Sequence, residues 1–367
     1  MTNEIDYALM LKQLLDTAIK NEASDIHLKA YSKPYLRLKG KLIPCGGELS
    51  AQIVRNLIYQ TMDDEQKDFL LKNKEVDYAY KPSKDGTRFR INAYTAQGET
   101  EAVLRLIKSE VKSTDSLRLP PVINKMATLK DGLVLVAGST GSGKSTTLAA
   151  MIDYVNRNSE KRIITIENPV EIVHRDIKAV ISQREVGGDT DSFATALRSV
   201  LRQNPDLILI GEIRDKETAD SALQAAQTGH LVFSTIHAGT AEETLKRFAG
   251  LYPADERTNV KRTLATTLKG VIVQRLIVDK NQDKLPALEI MFNTDRIQQA
   301  MLADADDLDG EHITKVIAEG QVHGMITLDQ YLMKLVSSGV IEPQYAINEA
   351  VNPLTMRQAL HSRGISE

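Results

Sequence analysis

The sequence predicts an α/β fold with two domains and a helical C-terminal region. The chain has 367 residues, which exceeds the usual size of a single domain. From residue 122 onward, short apolar runs alternate with amphipathic stretches, and this alternation is typical of a parallel sheet covered by helices. Residues 108–121 are polar, lack helical periodicity and end in two prolines. We therefore expect domains at 1–107 and 122–294, a linker at 108–121 and a helical region at 295–367.

The N-terminal domain is expected to mix helices and strands. The spacing of its apolar residues predicts helices near 5–21 and 50–72. Strands are predicted over the segments DIHLKA, YLRLKG, TRFRINAY and AVLRLI. Two of these strands carry arginines: Arg88 and Arg90 lie on the polar face of TRFRINAY, opposite Phe89, and Arg105 lies in AVLRLI. By pattern alone, such a polar face is most simply a solvated surface.

The second domain is predicted to contain a parallel sheet. GLVLVAG, RIITIE, DLILIGE and LVFSTIH are short buried-strand runs, and helical stretches such as SFATALRSVLRQ and KETADSALQAAQT lie between some of them. Beyond residue 295 the pattern becomes mostly helical. Within that region the acidic run LADADDLDGEH is most simply a solvated loop.

Composition restricts the class of protein. A hydrophobic content of 42% and a charged content of 26% are typical of a globular chain. A net charge of −3, an aromatic content of 5% and the absence of tryptophan give no support to nucleic-acid binding by a basic surface or by base stacking. We therefore expect no nucleic-acid partner, and a nucleic-acid-dependent ATPase such as a helicase is the least supported enzyme class.

The single cysteine and the lack of long apolar runs predict a cytoplasmic protein. Cys45 cannot form an intrachain disulfide or belong to a four-cysteine zinc module, and it is most simply a small residue at the end of a strand. The N-terminus lacks the pattern of a signal peptide. No segment reaches the ~18 consecutive apolar residues that cross a bilayer. Any membrane association is therefore expected to be peripheral.

The segment GSTGSGKST predicts a nucleotide triphosphate site. It fits the phosphate-loop pattern and lies between a buried strand and an apolar helix, which is the context that the pattern requires. Its glycines allow successive backbone N–H groups to face phosphate oxygens. Lys144 supplies positive charge, and the Ser145 hydroxyl is a candidate Mg²⁺ ligand. The predicted phosphate-binding residues are Gly138, Ser139, Thr140, Gly141, Ser142, Gly143, Lys144, Ser145 and Thr146.

Three acids are candidates for metal binding and for activating water. Glu212 follows the apolar run of DLILIGE, so we expect it at the carboxyl end of a strand neighbouring the phosphate-loop strand, where it could bind Mg²⁺ through water. Glu167 and Glu171 lie in TIENPVEIVH, around an Asn-Pro pair that ends the strand. One of them could be the general base. Spacing alone does not choose between the two.

His230 and His237 occur seven positions apart in QTGHLVFSTIHAG. An odd separation places the two side chains on opposite faces of a continuous strand, which disfavours a shared metal. Two hypotheses remain. Both histidines could be polar residues at the ends of a strand without a role in catalysis. Alternatively, each could hydrogen-bond a phosphate, or a carboxylate that contacts the phosphate.

Taken together, these motifs resemble the secretion ATPases, and among them the PilT/PilU-like motors of type IV pili. The phosphate loop, TIENPVEIVH, DLILIGEIRD and STIHAGTAEE look like the Walker A, Asp box, Walker B and His box of that family, in the same order. ASDIHL, RFRINAY, LEIMFNT and GMITLDQYLMKLVSSGVI extend the similarity over nearly the whole chain. The resemblance implies a PAS-like N-terminal α/β domain and a RecA-like P-loop ATPase domain, assembled as a hexameric ring.

The resemblance also implies roles for individual residues. Glu171 would be the catalytic glutamate and Glu212 the Walker B acid. His230 and His237 would sense the nucleotide. Arginines of the N-terminal domain would reach the nucleotide as arginine fingers, namely Arg88, Arg90 and Arg105. The implied cofactors are ATP and Mg²⁺, and the implied partners are further copies of the chain and the inner-membrane platform protein of a pilus.

Two departures from the family pattern leave alternatives open. Asn168 stands where the Asp box usually has aspartate, and residues 296–301 read Arg-Ile-Gln-Gln-Ala-Met where retraction motors carry AIRNLI. Assembly motors usually add a four-cysteine zinc module, which this chain lacks. A retraction motor is therefore expected. An accessory PilU-like motor, a non-catalytic regulator of a paralogous motor and a DotB-like type IV secretion ATPase remain as alternatives.

Overall fold

A computed structural model describes residues 6–82, 88–107, 111–302 and 310–365. The chain divides into two compact units. The first comprises Met1–Glu110 with Glu171–Val173, and the second comprises Val111–Val170 with His174–Glu367. The predicted linker begins at residues 108–110, which lie outside the described residues. The proposed domain boundaries stay a prediction.

The first unit is built on an antiparallel sheet of six strands in the order β3-β2-β1-β6-β5-β4. Three helices accompany it. The elements are α1 (Tyr7–Lys20), β1 (Asp25–Leu28), β2 (Tyr35–Leu38), β3 (Lys41–Pro44), α2 (Ala51–Tyr59), α3 (Asp64–Asn73), β4 (Glu75–Tyr80), β5 (Arg88–Ala96) and β6 (Glu99–Ile107). The alternation predicted for β5 is confirmed, because Phe89, Ile91 and Ala93 are all buried in the core of this unit.

The single helix expected near 50–72 is wrong, because two helices occupy this stretch. Asp63 and Gln66 form a capping box that starts α3. The Gln66 N–H donates to the Asp63 carboxylate at 2.8 Å, and the Asp63 N–H donates to Gln66 Oε1 at 3.1 Å. This pair satisfies backbone N–H groups at a helix start and therefore favours a new helix over continuation of α2.

The second unit contains a sheet of seven strands in the order β13-β12-β7-β11-β10-β8-β9. All neighbouring strands are parallel except β13, which pairs antiparallel with β12. The elements up to the last strand are α4 (Val122–Ala127), β7 (Gly132–Ala137), α5 (Lys144–Asn158), β8 (Arg162–Glu167), β9 (Val180–Glu185), α6 (Phe193–Val200), β10 (Leu207–Ile210), α7 (Lys216–Gln227), β11 (Leu231–Ile236), α8 (Ala241–Gly250), α9 (Arg257–Thr267), β12 (Leu268–Val278) and β13 (Lys284–Phe292). The predicted α/β class is confirmed.

Apolar residues cover both faces of this sheet, as expected for parallel strands. One core cluster includes Leu133 and Leu135 of β7, and the other includes Val134 and Val136 of the same strand. The carboxyl ends of β7, β8, β10 and β11 meet at one edge of the sheet, since these strands run parallel. The segments that follow these strands include the phosphate loop, Glu171, Glu212 and His237.

The C-terminal region is helical, as predicted. Its helices are α10 (Asp295–Leu302), α11 (Gly310–Glu319), α12 (Leu328–Ser337), α13 (Pro343–Glu349) and α14 (Pro353–Ser362). The acidic loop predicted in this region falls largely on residues 303–309, which lie outside the described residues. Among the helices that the structure describes, none is long and apolar enough to cross a bilayer.

A half-buried histidine, His174, is expected to make stability depend on pH. Burial lowers the pKa of His174 from its ordinary 6.5 to about 4, and its Nδ1 is buried without a hydrogen-bond partner in the described part of the chain. The native state therefore binds fewer protons than the unfolded state between these two values. The stabilising contribution is present above pH 6.5 and is lost as the pH falls towards 4.

Replacing this side chain should remove that part of the pH dependence. We expect wild type to lose about 2 kcal/mol more of its free energy of unfolding than His174→Gln between pH 7.5 and pH 5. Urea unfolding at both pH values measures this difference. His323→Gln, at an exposed histidine, is the control for loss of a histidine elsewhere. Parallel pH curves for wild type and His174→Gln would contradict the expectation.

Candidate functional site

The phosphate loop connects β7 to α5 through three glycines with positive φ angles: 151° at Gly138, 78° at Gly141 and 88° at Gly143. These values lie where side chains are rarely accommodated. At Gly138 space is also restricted, because an added Cβ would lie 2.4 Å from Ser142 Oγ and 2.5 Å from the Gln274 carbonyl oxygen. The loop therefore needs glycine both for its backbone conformation and for its close packing.

The loop presents positive charge and backbone donors at the start of α5. No side chain caps this helix, so N–H groups of its first turn remain available to an anion. Lys144 Nζ donates to the carbonyl oxygens of Gly138 and Ser139, both at 2.9 Å, which holds the ammonium group over the loop. Ser145 is exposed in the same turn. This arrangement fits a bound polyphosphate.

The donor set also fits Mg²⁺ held jointly with a nucleotide. Among the described residues, no group of three histidine, cysteine, aspartate or glutamate side chains could hold a metal ion without other ligands. Mg²⁺ accepts few protein ligands and usually keeps waters and phosphate oxygens. Ser145 is placed to supply one oxygen, and Glu212 is the candidate for contact through water.

Glu212 lies just beyond the carboxyl end of β10. Its side chain is 17% exposed, and its Oε2 lies 2.6 Å from Arg214 Nε and 4.0 Å from His237 Nε2. The expectation that its strand neighbours the phosphate-loop strand is wrong. β11 lies between β10 and β7, because β11 pairs with both of them. His237 follows this intervening strand, and it therefore lies next to Glu212.

His237 lines a cavity of about 400 Å³ beside the phosphate loop. Other residues that line it include Gly138, Ser139, Glu243, Arg247 and Gln274. Burial holds the pKa of His237 below its ordinary value, and the positive charges of Lys144, Arg214 and Arg247 act in the same direction, against the Glu212 carboxylate. The imidazole is therefore mostly neutral near pH 7, and a neutral imidazole can both donate and accept a hydrogen bond.

The structure does not place His230 beside the phosphate loop. The two histidines flank β11 instead of lying within it, so the argument from alternating faces does not apply. His230 precedes the strand, and its carbonyl oxygen accepts from the Gly132 N–H at the start of β7. The six residues of β11 separate the two positions by roughly 20 Å. The phosphate-sensing hypothesis for His230 is therefore not supported within this unit.

The His230 side chain instead hydrogen-bonds groups at the C-terminal end of α7. Its Nδ1 lies 3.0 Å from the Ala225 carbonyl oxygen and 3.1 Å from Thr228 Oγ1, which are both near the last turn of that helix. A histidine can satisfy a terminal helix carbonyl in this way. The local structure thus accounts for this side chain.

Glu167 and Glu171 differ in their surroundings. Glu167 ends β8, and its Oε1 accepts hydrogen bonds from Thr165 Oγ1 at 2.7 Å and from Gln183 Nε2 at 3.2 Å. Glu171 is exposed in an irregular segment after the strand, and no hydrogen bond or ion pair of its side chain is present among the described residues. Glu167 is therefore held by its neighbours, whereas the Glu171 carboxylate is available.

Within the first unit, two of the three candidate arginines lie side by side. Arg90 of β5 and Arg105 of β6 are direct cross-strand partners, while Arg88 is paired with Ile107. Arg105 Nε donates to Asp25 at 2.9 Å, and Arg90 Nε lies 3.5 Å from Asp77. Arg105 nevertheless keeps 66% of its side chain exposed. These ion pairs orient the guanidinium groups without burying them.

Sequence reasoning missed several residues near the loop. Arg247 and Glu243 lie on α8, where Arg247 Nε donates to Glu243 Oε1 at 2.9 Å. Gln274 lies on β12, a strand that was not predicted. The sequence pattern that indicates this strand is the apolar run GVIVQRLIV, which two polar residues interrupt. Sequence alone could not show which loop that strand would meet.

Known proteins are similar to this chain over nearly its whole length. The chain is 40% identical over 347 residues to the type IV pilus retraction ATPase PilT of Pseudomonas aeruginosa, which covers 94% of this chain and 98% of that protein. It is 35% identical over 342 residues to the type IV pilus ATPase PilU of the same organism, covering 92% and 88% respectively. A crystal structure of the pilus retraction motor PilT with bound ADP superimposes with a TM-score of 0.86 at 36% identity, covering 94% of this chain and 98% of that one.

These relatives confirm the resemblance that the motifs indicated. The match to a family described as type II/IV secretion system protein extends over residues 4–307. It contains the phosphate loop, the strand before Glu212 and the loop that carries His237. The chain therefore belongs to the type II/IV secretion system protein family.

Proposed function

We propose that the chain is a Mg-ATP-hydrolysing motor that powers retraction of type IV pili. The observation that carries this proposal is the meeting of Lys144, Glu212 and His237 at one edge of the second sheet, in a chain similar over nearly its whole length to a retraction ATPase. A P-loop with an adjacent acid is suited to hydrolysing a nucleotide triphosphate.

Each site residue has a separate proposed role in hydrolysis. Lys144 and the N–H groups of the loop hold the phosphates. Ser145 and Glu212 would hold Mg²⁺, which would supply positive charge against the phosphates. Glu171 accepts a proton from the attacking water. The family resemblance assigns Arg88, Arg90 and Arg105 to stabilising the negative charge of the transition state, a role suited to planar guanidinium groups.

We further propose that the motor is a cytoplasmic homo-hexamer acting on an inner-membrane platform protein of the pilus. Light scattering in the presence of Mg²⁺ and ATP tests the ring directly. A mass of six chains is expected. A strict monomer under all nucleotide conditions would exclude a ring mechanism.

An accessory motor or a regulator is the second candidate, and the 296–301 segment favours it. In α10, Ile297 is fully buried and matches the retraction motif, but Gln298 and Gln299 stand in place of its arginine and asparagine. The type IV pilus ATPase PilU of Pseudomonas aeruginosa is 35% identical to this chain. Steady-state hydrolysis by the purified protein separates a motor from a regulator that binds nucleotide without turning it over.

Deletion of the gene tests whether the protein drives retraction or assembly of pili. Excess surface pili with loss of twitching motility is the expected result, because pili would extend without being withdrawn. Cells without pili would mean that the protein drives assembly. Unchanged pili would point to an accessory motor or a DotB-like secretion ATPase. If deletion gives excess pili, complementation with the wild-type gene should restore the normal pilus number.

A further inference from the structure

A single buried amide joins the phosphate loop to the helix that follows it. Gln274 is only 3% exposed. Its Nε2 donates to the Ser142 carbonyl oxygen at 2.7 Å, and its Oε1 accepts from Thr147 Oγ1 at 2.6 Å. Both ends of the side chain are therefore satisfied, one by the loop and the other by the second turn of α5.

These two contacts enclose the residues that would bind phosphate and metal. Ser142 lies two positions before Lys144, and Thr147 lies two positions after Ser145. Between them the backbone reverses at Gly143, with a φ of 88°, before α5 begins. A hydrogen bond on either side of this reversal limits how the junction can bend. The direction of the first N–H groups of α5 is thereby fixed.

The same glutamine accounts for two glycines of the loop. A Cβ on Gly143 would lie 2.7 Å from Gln274 Nε2, and a Cβ on Gly138 would lie 2.5 Å from the Gln274 carbonyl oxygen. The loop therefore packs directly on this position of β12. The pairing of β12 with β7 brings Val273 opposite Ala137, the last residue before the loop, and this register holds Gln274 in place.

We propose that Gln274 is a positioning residue for nucleotide binding, which keeps the phosphate loop in its binding conformation before the nucleotide arrives. This inference rests on the proposed ATPase function. Without the amide, the Ser142 carbonyl and the Thr147 hydroxyl lose their hydrogen-bond partner in a buried setting. The loop can then adopt other conformations in which these two groups hydrogen-bond to water. Nucleotide binding must then select one conformation from several.

Gln274→Leu removes both hydrogen bonds while keeping a side chain of similar size. The probe is a fluorescent N-methylanthraniloyl ADP titrated with Mg²⁺ into the full chain. We expect its Kd to rise at least about tenfold, which corresponds to about 1.4 kcal/mol. In steady-state hydrolysis, KM should rise by a similar factor, while kcat should change by less than about threefold, because Gln274 does not contact the reacting groups.

The matched control is Asn293→Leu. Asn293 Nδ2 donates to the carbonyl oxygens of Ala265 and Leu268, both at 2.7 Å, at the edge of the same unit opposite to the loop. This variant also loses two hydrogen bonds and should lower the melting temperature, but it should leave the Kd unchanged. Thr147→Val is the second test variant if Gln274→Leu does not fold, because it removes only the hydroxyl half of the contact.

The outcomes separate this proposal from the ATPase assignment. Wild-type protein that does not bind the nucleotide would overturn both. Wild-type binding together with an unchanged Kd in Gln274→Leu, or in Thr147→Val if the first variant is unfolded, would overturn only the role of Gln274. An equal loss of affinity in Asn293→Leu would also overturn it, since the effect would then follow general destabilisation.

Discussion

Replacing Lys144 by alanine is expected to lower kcat/KM for ATP by about a thousandfold or more. The side chain is the one ammonium group that the described phosphate loop holds over its own carbonyl oxygens, at 2.9 Å from Gly138 and Ser139. In a nucleotide complex the same group would face phosphate oxygens, whose negative charge increases as the bond to the leaving group breaks. Alanine supplies neither the charge nor the hydrogen bonds.

Phosphate release by purified protein measures this loss. Lys130→Ala is the matched control, since Lys130 is an exposed lysine just before β7, at the opposite end of the same strand. It should hydrolyse ATP at the wild-type rate. The melting temperature of each variant establishes that the fold is retained. Hydrolysis by Lys144→Ala within tenfold of wild type would contradict the assignment of this loop as the catalytic phosphate site.

The parts of this fold that sequence predicted well depend on local signals. Buried strands such as β7 and β10 are continuous apolar runs, and the phosphate loop is defined by its own residues and by the elements on either side. Alternation along β5 likewise reflects one buried face. Each of these features can be inferred from fewer than about 20 consecutive residues, without knowledge of long-range pairing.

Sheet order, by contrast, depends on pairings between distant segments. The hairpin of β12 and β13 was not predicted as part of the sheet, although it forms one edge and provides the contact of Gln274 with the loop. The position of β11 between β7 and β10 was also not evident from spacing. That order brings His237 next to Glu212. His230 lies at the other end of β11, at the amino end of the strand. Two histidines that look equivalent in the sequence therefore have different surroundings.

The choice between Glu167 and Glu171 combines a structural observation with the family resemblance. Spacing left both acids open as the general base. Thr165 and Gln183 donate hydrogen bonds that hold the Glu167 carboxylate in place. Glu171, four residues farther along, is exposed. A general base must be free to approach the attacking water, and a carboxylate held by two hydrogen bonds from its own fold is less mobile.

We therefore expect Glu171→Gln to lower kcat by about a hundredfold or more while leaving nucleotide affinity unchanged. Glutamine has the size of glutamate and still offers an oxygen, but it cannot take a proton from water. ATP should consequently remain bound and unhydrolysed, which single-turnover experiments with radiolabelled ATP would detect. Stability should change little, because substitution of an exposed side chain without partners usually has a small effect.

Glu167→Gln is the matched comparison, as the same chemical change four residues away. Glutamine at position 167 still accepts from Thr165 Oγ1 through its remaining oxygen, so kcat should stay within about tenfold of wild type. The loss of the carboxylate should appear mainly as a lower melting temperature, because it weakens the contacts that end β8. Normal turnover in Glu171→Gln together with loss of turnover in Glu167→Gln would transfer the role of general base to Glu167.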